Sequence, residues 1–361
     1  MQKEISNLEL QNRVQKIQQK MAELNTDIIF VYGEANRFYL TNFNCSNAII
    51  VIDTKALPRF YTDARYLESA KSFIANFEVL DIKNFESDAE KLNASNISAI
   101  SVENTISAHT YLSLKSKIKF EIKLDADKIF NEIRTIKSKT EIEIIRDAVL
   151  LADQIFDHEL QNFKFDITEN QLHKNIEIAA LKAADGTSFN TIVCFGENTA
   201  YPHYTPQNFK LKNNMPICID MGVKIQHYCS DMTRTFFYGE PHQKLIEFYE
   251  IVSNTVCACK EFIKPGITCQ ELDALSRKII GDAGYAELFA HGLGHGVGLN
   301  IHEFPLLSRD KDCVLKEGMV FTLEPGIYMP GIGGVRIEDI VAVTETGCQV
   351  LTTSPKQLLI L

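Results

Sequence analysis

No apolar run in this 361-residue chain approaches the roughly 18–20 residues that a membrane-spanning helix needs. No cluster of lysine and arginine is present, and the formal net charge is −10. That balance argues against nucleic acid or an anionic membrane as a partner. There is no CxxC pair: the nine cysteines are scattered, and Cys257 and Cys259, one residue apart, are poorly spaced for a zinc knuckle. An odd, unpatterned set fits free thiols in a reducing compartment, so a cytoplasmic location is expected. The N-terminus, MQKEISNLELQNRVQKIQQK, is polar and charged with no h-region, and no secretory signal is expected. The helical zinc-protease string HExxH is absent. Low-complexity tracts, short-period repeats and a Pro- or Gly-rich linker are missing too.

What is there suits a soluble protein of two domains: the length is too great for one small core, and 45% apolar with 23% charged residues is ordinary globular composition. Val14, Ile17, Met21 and Leu24 recur at helical spacing. Strand-like runs follow at 28–32, 48–52 and 60–61, the last two separated by a turn over 53–58. Up to about residue 125, strand-like and helix-like pieces alternate, which predicts a small α/β domain. The stretch 126–163 is free of Gly and Pro and rich in Ile, Leu, Glu and Lys, so one or two helices are expected there. The boundary is placed at 125/126, giving domains 1–125 and 126–361. A helix over 168–184 is expected from Thr168 and from Gln171 at capping-box spacing. Helices are expected at 244–263 and 270–283, followed by Pro265-Gly266 and by Gly284. Strands are expected at 189–195, 215–223 and 229–238, and a second strand pair at 319–328 and 335–344 about the turn 329–334. The class is α/β (α+β). Two acidic hairpins in the second half hint at an internal pseudo-symmetry.

The chemistry concentrates in those hairpins. Asp220 stands in PICIDM, Asp231 in YCSDMTRTFF, Glu324 in VFTLEP and Glu338 in VRIEDI. Each carboxylate is flanked by apolar residues, where an unpaired ion is costly. Within each pair, strands about a turn let both carboxylates reach one face. Four of them within a few ångströms would repel by roughly 4 kcal/mol per pair at 4 Å and an effective dielectric near 20. Two divalent cations cancel that charge. The segment HGLGHGVGLNIHE carries His291, His295 and His302 among glycines that forbid a stable helix and let the backbone approach another group closely. His203 lies in FGENTAYPHYTP, a loop stiffened by Pro202 and Pro206. Four carboxylates and one imidazole are a hard, oxygen-rich set, suited to a pair of divalent cations rather than one structural zinc.

These strings resemble the pita-bread metallopeptidases: aminopeptidase P, prolidase and methionine aminopeptidase, with the non-metal hydrolase creatinase as a relative. NRFYLTNF and YTDARYLESA look like the creatinase-type domain that precedes the catalytic domain in the proline-specific members, and IKSKTEIEIIRDA is similar to the helix that opens the catalytic domain. The resemblance implies a creatinase-like N-terminal domain followed by a pita-bread catalytic domain with two antiparallel acidic hairpins. It implies two metal ions per subunit, with Asp220 on the first, Asp231 and Glu338 bridging, and His295 and Glu324 completing the second. His203 and His302 would contact the scissile carbonyl and the substrate, and His291 would line the proline pocket. Glu324 would carry the proton, and Tyr328 and Arg336 would orient metal ligands. The activity implied is hydrolysis of the Xaa-Pro bond by a metal-bridging water or hydroxide, in dipeptides or at the N-terminus of peptides, by a homodimer. The oxygen-rich set favours Mn²⁺, with Co²⁺, Fe²⁺ or Zn²⁺ as alternatives. A methionine aminopeptidase and a non-catalytic scaffold on the same fold are the competing readings. Two departures stand out: Cys194 and Phe195 replace small residues before His203, and Asn42 replaces a usual glycine.

Overall fold

The computed structural model describes residues 3–92, 97, 99–308 and 313–361. The chain divides into two compact units, Met1–Arg134 and Thr135–Leu361.

In the first unit, helix α1 (Asn7–Glu23) starts at the Ser6 cap and buries Leu10, Val14, Ile17 and Met21. Leu24, expected on that apolar face, is the exposed C-cap because the helix stops before it. A six-stranded mixed sheet runs β4-β3-β2-β1-β5-β6, with β1 (Ile28–Val31), β2 (Ala48–Asp53), β3 (Arg59–Thr62), β4 (Glu78–Asp81), β5 (Ala99–Val102) and β6 (Glu121–Lys123). Helices α2 (Glu34–Thr41), α3 (Leu67–Phe73), α4 (Phe85–Lys91) and α5 (Ala108–Lys117) connect the strands. Asn42 ends α2 in the left-handed conformation, φ 52° and ψ 24°. Asparagine tolerates that region better than other side chains, so it can stand where a glycine is usual.

Helix α6 (Ala126–Thr135) belongs with the first unit, so the division falls at 134/135 rather than at the expected 125/126. Side chains explain it. Glu132 pairs with Lys20 at 2.7 Å, and Arg134 Nη1 donates to Asn36 Oδ1 at 2.7 Å.

The second unit opens with α7 (Lys139–Gln161), capped by a Ser138–Glu141 capping box. Helix α8 (Glu169–Ala183) carries the expected Thr168–Gln171 box. Helices α9 (Gln243–Phe262) and α10 (Cys269–Asp282) follow, α10 with a Thr268–Glu271 box. Helix and loop join in the same way twice. Leu211 N donates to Ile167 O, and Leu315 N to Ile267 O; Thr168 bridges Lys210, and Thr268 bridges Val314. The same loop contact thus recurs at the start of each of these two helices.

Three strands, β12-β9-β8, form the sheet under the first acidic pair: β8 (Ile192–Phe195), β9 (Met215–Met221) and β12 (Met232–Tyr238). A small sheet β11-β10-β7, from β7 (Gly186–Thr187), β10 (Val223–Ile225) and β11 (Tyr228–Cys229), extends its turn end. The second acidic pair departs from expectation. Its two long strands are each cut in two. Strands β15 (Val320–Leu323) and β18 (Asp339–Val343) lie in the five-stranded sheet β14-β13-β15-β18-β19, with β13 (Gly294–Gly296), β14 (Glu303–Leu307) and β19 (Cys348–Val350). Strands β16 (Gly326–Met329) and β17 (Gly333–Arg336) form their own ribbon. The breaks fall at Glu324-Pro325 and Ile337-Glu338. Pro325 has no N–H for a ladder, and Glu338 N leaves the pair to donate to Thr233 O.

None of the nine cysteines is in a disulfide. Among the described residues no helix is long and apolar enough to cross a membrane. Close approach of β13 to β15 depends on glycine: a Cβ at Gly294 would stand 2.1 Å from Thr322 O. Gly294→Ala is therefore expected to lower stability by more than about 2 kcal/mol, because backbone rather than a flexible side chain must move. Urea unfolding with an unchanged midpoint would contradict this.

Candidate metal centre

Each of the four carboxylates stands on a strand or at a strand's end. Asp220, on β9, faces Ile192 on β8 and Thr233 on β12. Asp231 enters β12, Glu324 leaves β15, and Glu338 enters β18. His295 lies on β13, whose glycines bring it against β15.

These elements bring all five side chains to the floor of one cleft of about 540 Å³. Ligand atoms of Asp231, His295 and Glu338 lie within 4.8 Å of one another. His295 Nε2 is 3.6 Å from Asp231 Oδ2 and 3.4 Å from Glu324 Oε1. His295 Nδ1 lies 3.2 Å from Gly296 O, a contact that calls for the Nδ1–H tautomer and leaves an Nε2 lone pair facing the carboxylates. Asp220 accepts from Arg336 Nη2 through Oδ2 at 2.7 Å, while its Oδ1 is buried without a hydrogen-bond partner.

Burial and mutual repulsion set the proton affinities. The Asp231 carboxyl is pushed well above the usual carboxylate range, first by burial and then by the charges of Glu338, Asp220 and Glu324. Glu338 is raised likewise by burial and by Glu324 and Asp220. Glu324 is pushed up to about 7, chiefly by burial. Burial pushes His295 down to about 4, with the neighbouring His302 acting in the same direction. The set is thus a neutral imidazole and carboxyls that cannot all ionise together without added positive charge. Donor types, convergence and the orphaned Asp220 oxygen fit divalent cations.

The other expected residues line the same cleft or support it. His203, His291, His302 and Arg336 line it. The His302 ring meets His295 edge-on, with centroids 4.3 Å apart. His291 is driven down to about 4 by burial, and its Nε2 bonds the Tyr328 hydroxyl at 2.8 Å. Arg336 is the hub: Nη1 donates to Tyr328 Oη at 3.0 Å, Nη2 to Asp220, and Nε to Thr233 Oγ1 at 3.0 Å.

The comparisons place this geometry in a family. Residues 143–345 match the model of metallopeptidase family M24, and residues 13–136 match the creatinase/prolidase N-terminal domain. The chain belongs to metallopeptidase family M24. It is 35% identical to the Xaa-Pro dipeptidase of Pyrococcus furiosus over 97% of this chain and 100% of that one. Among solved structures it resembles the Xaa-Pro dipeptidase from Bacillus anthracis (TM-score 0.92, 35% identity, 98% of this chain and 100% of that chain). The X-Pro aminopeptidase from Thermotoga maritima is also similar (TM-score 0.84, 31% identity, 95% of this chain and 100% of that chain).

A creatinase-type N-terminal domain followed by the M24 pita-bread domain is therefore the architecture, and the family implies a divalent metal. Two supports of this M24 site escaped the sequence reading. Thr233 Oγ1 donates to Glu338 Oε2 at 2.7 Å. Thr322 Oγ1 donates to Glu324 Oε1 at 3.3 Å and accepts from His295 N at 3.0 Å. Each threonine is two positions from an acid, Asp231 or Glu324, so strand periodicity was the available signal. Cys194 and Phe195, which stand where relatives have small residues, are buried in β8, and the cleft wall there is made by Phe189, Asn190 and Ile192.

Because these carboxyls hold protons that a cation must displace, cation binding and protonation compete. At pH 6, below the value of about 7 for Glu324, Mn²⁺ binding is expected to release more than about one proton per chain, falling as pH rises through 7. Calorimetry in buffers of different ionisation enthalpy measures this. A pH-independent release near zero would contradict the assignment.

Proposed function

We propose that the chain is a dinuclear metal-dependent exopeptidase that hydrolyses the Xaa-Pro bond, acting on Xaa-Pro dipeptides. The observation that carries this reading is the convergence of four carboxylates and His295 on the floor of a cleft whose walls hold His203, His291 and His302. Asp220 would hold one cation, Asp231 and Glu338 would bridge, and His295 and Glu324 would complete the second site. When bound, divalent cations neutralise the acid cluster and supply Lewis-acid activation of water. The oxygen-rich donor set favours Mn²⁺.

The chain's own groups do the rest. His203 and His302 offer ring N–H groups to the scissile carbonyl, where negative charge develops. Glu324 would take the proton lost by the attacking water and pass it to the departing proline nitrogen. His291 is kept neutral and fixed by Tyr328, giving an unsolvated wall against the proline ring. Proline requires such a site because its amide has no N–H for the donor contacts that ordinary peptidase clefts make.

Full-length similarity to Xaa-Pro dipeptidases supports the dipeptide preference. Similarity to an X-Pro aminopeptidase supports a second reading in which longer peptides are cleaved. Nine cysteines without a disulfide support a reducing, cytoplasmic setting, and a homodimer is proposed on family resemblance.

With Mn²⁺ supplied, Xaa-Pro dipeptides should turn over faster than Xaa-Pro-Yaa peptides, and a chelator should abolish both. Preferred tripeptide cleavage would replace the dipeptidase reading with the aminopeptidase one, and cleavage of Met-Ala alone would refute both. His203→Ala is expected to lower kcat by about 100-fold or more while leaving metal content unchanged. Equal loss of metal would contradict its role at the carbonyl.

A further inference from the structure

His203 stands on neither a helix nor a strand. After β8 the chain makes a short 3-10 turn, Gly196–Ala200, and then an irregular segment containing Pro202 and Pro206. Prolines stiffen such a segment but remove backbone donors, so its ends must be fixed by something else.

One side chain meets both ends. Glu169, the first residue of α8, is fully buried. Its Oε1 accepts from Phe195 N at 2.8 Å and from Asn198 Nδ2 at 2.9 Å. Its Oε2 accepts from Gln207 N at 3.0 Å. The backbone of α8 reinforces the far end: Glu169 N donates to Phe209 O and Asn170 N to Gln207 O. An acid at the start of a helix ordinarily serves that helix's own amides and dipole. Here the partners lie 26, 29 and 38 positions along the chain, on the two sides of His203. These donors are two backbone amides and a carboxamide, and the Tyr204 hydroxyl, next to His203, also bonds the carboxylate. Each is a bond to a charged acceptor, of the stronger and more directional kind.

We infer that Glu169 is a positioning residue for His203: its buried carboxylate closes the 195–207 loop at both ends and presents the imidazole to the cleft. A second fastening fits this reading. Thr199, inside the loop, donates to Gly196 O at 2.7 Å and accepts from Gly334 N at 2.8 Å, tying the loop to β17. The inference rests on the proposed contact between His203 and substrate.

A double-mutant cycle with an independent structural readout tests it. Glu169→Gln keeps the side-chain volume but sets an amide NH₂ against a donor. In that variant kcat should fall about 10- to 100-fold, the scale that follows from misplacing one reacting group by an ångström. Metal content should be unchanged. Amide hydrogen exchange should quicken within 195–207 and not within α8 beyond Asn170. On a His203→Ala background the same change should alter kcat less than about twofold, because the two residues act through one contact. The inference is overturned if Glu169→Gln leaves exchange in 195–207 unchanged, or costs its full factor again without His203. Should His203→Ala retain wild-type turnover, the substrate-contact reading fails, and the exchange result alone decides whether Glu169 holds the loop. If Glu169→Gln does not fold, Asn198→Ala removes one of these bonds and runs the same cycle with a smaller factor.

Discussion

Negative charge crowded into a buried floor is the constraint that the second unit is built around. Asp231 and Glu338 are 4% and 2% exposed, Glu338 raises the proton affinity of Asp231, and Asp220 and Glu324 press on both. Such a cluster is unstable as four anions and inert as four acids. One positive charge is built in: Arg336, buried beside Asp220. It pairs with one carboxylate, and the remaining negative charge calls for a cation. The same guanidinium contacts Thr233, which holds Glu338, and Tyr328, which holds His291. A single side chain thus links the acid cluster to the substrate wall.

A second layer lies behind the first. Asp339, next to Glu338, is fully buried and faces Arg234, Lys260 and Lys356. These cations hold its carboxyl below the usual range despite burial. Arg234 also donates to the backbone carbonyls of Thr233 and Glu338, locking the two acidic segments together. The two adjacent acids Glu338 and Asp339 therefore have opposite environments: one is left short of positive charge on the cleft side, the other is supplied with it on the core side.

Much of this was legible in the sequence because it is local. The Thr168–Gln171 capping box appears where composition and spacing put it, as do the first strands at 28–31, 48–53 and 59–62. The acids were conspicuous because carboxylates inside apolar strands are costly. What escaped depends on pairing between distant segments. The split of the second acidic pair between two sheets follows from Pro325 and from the Glu338–Thr233 bond, neither of which local alternation reports. Thr233 and Thr322 read as ordinary strand residues until a carboxylate is seen against them. Helix α6 read as part of the catalytic half because its composition matches α7, whereas its partners Lys20 and Asn36 lie far upstream. Glu169 stands at a helix start, but its carboxylate bonds the loop that follows β8, a pairing no local pattern reports.

Metal content of the purified, Mn²⁺-loaded protein, measured by elemental analysis alongside protein concentration and located by anomalous scattering, tests the central claim most directly. Two ions per chain are expected, both within reach of Asp220, Asp231, His295, Glu324 and Glu338. A single ion, or ions held elsewhere while peptidase activity persists, would contradict the claim that this acid cluster exists to bind a cation pair.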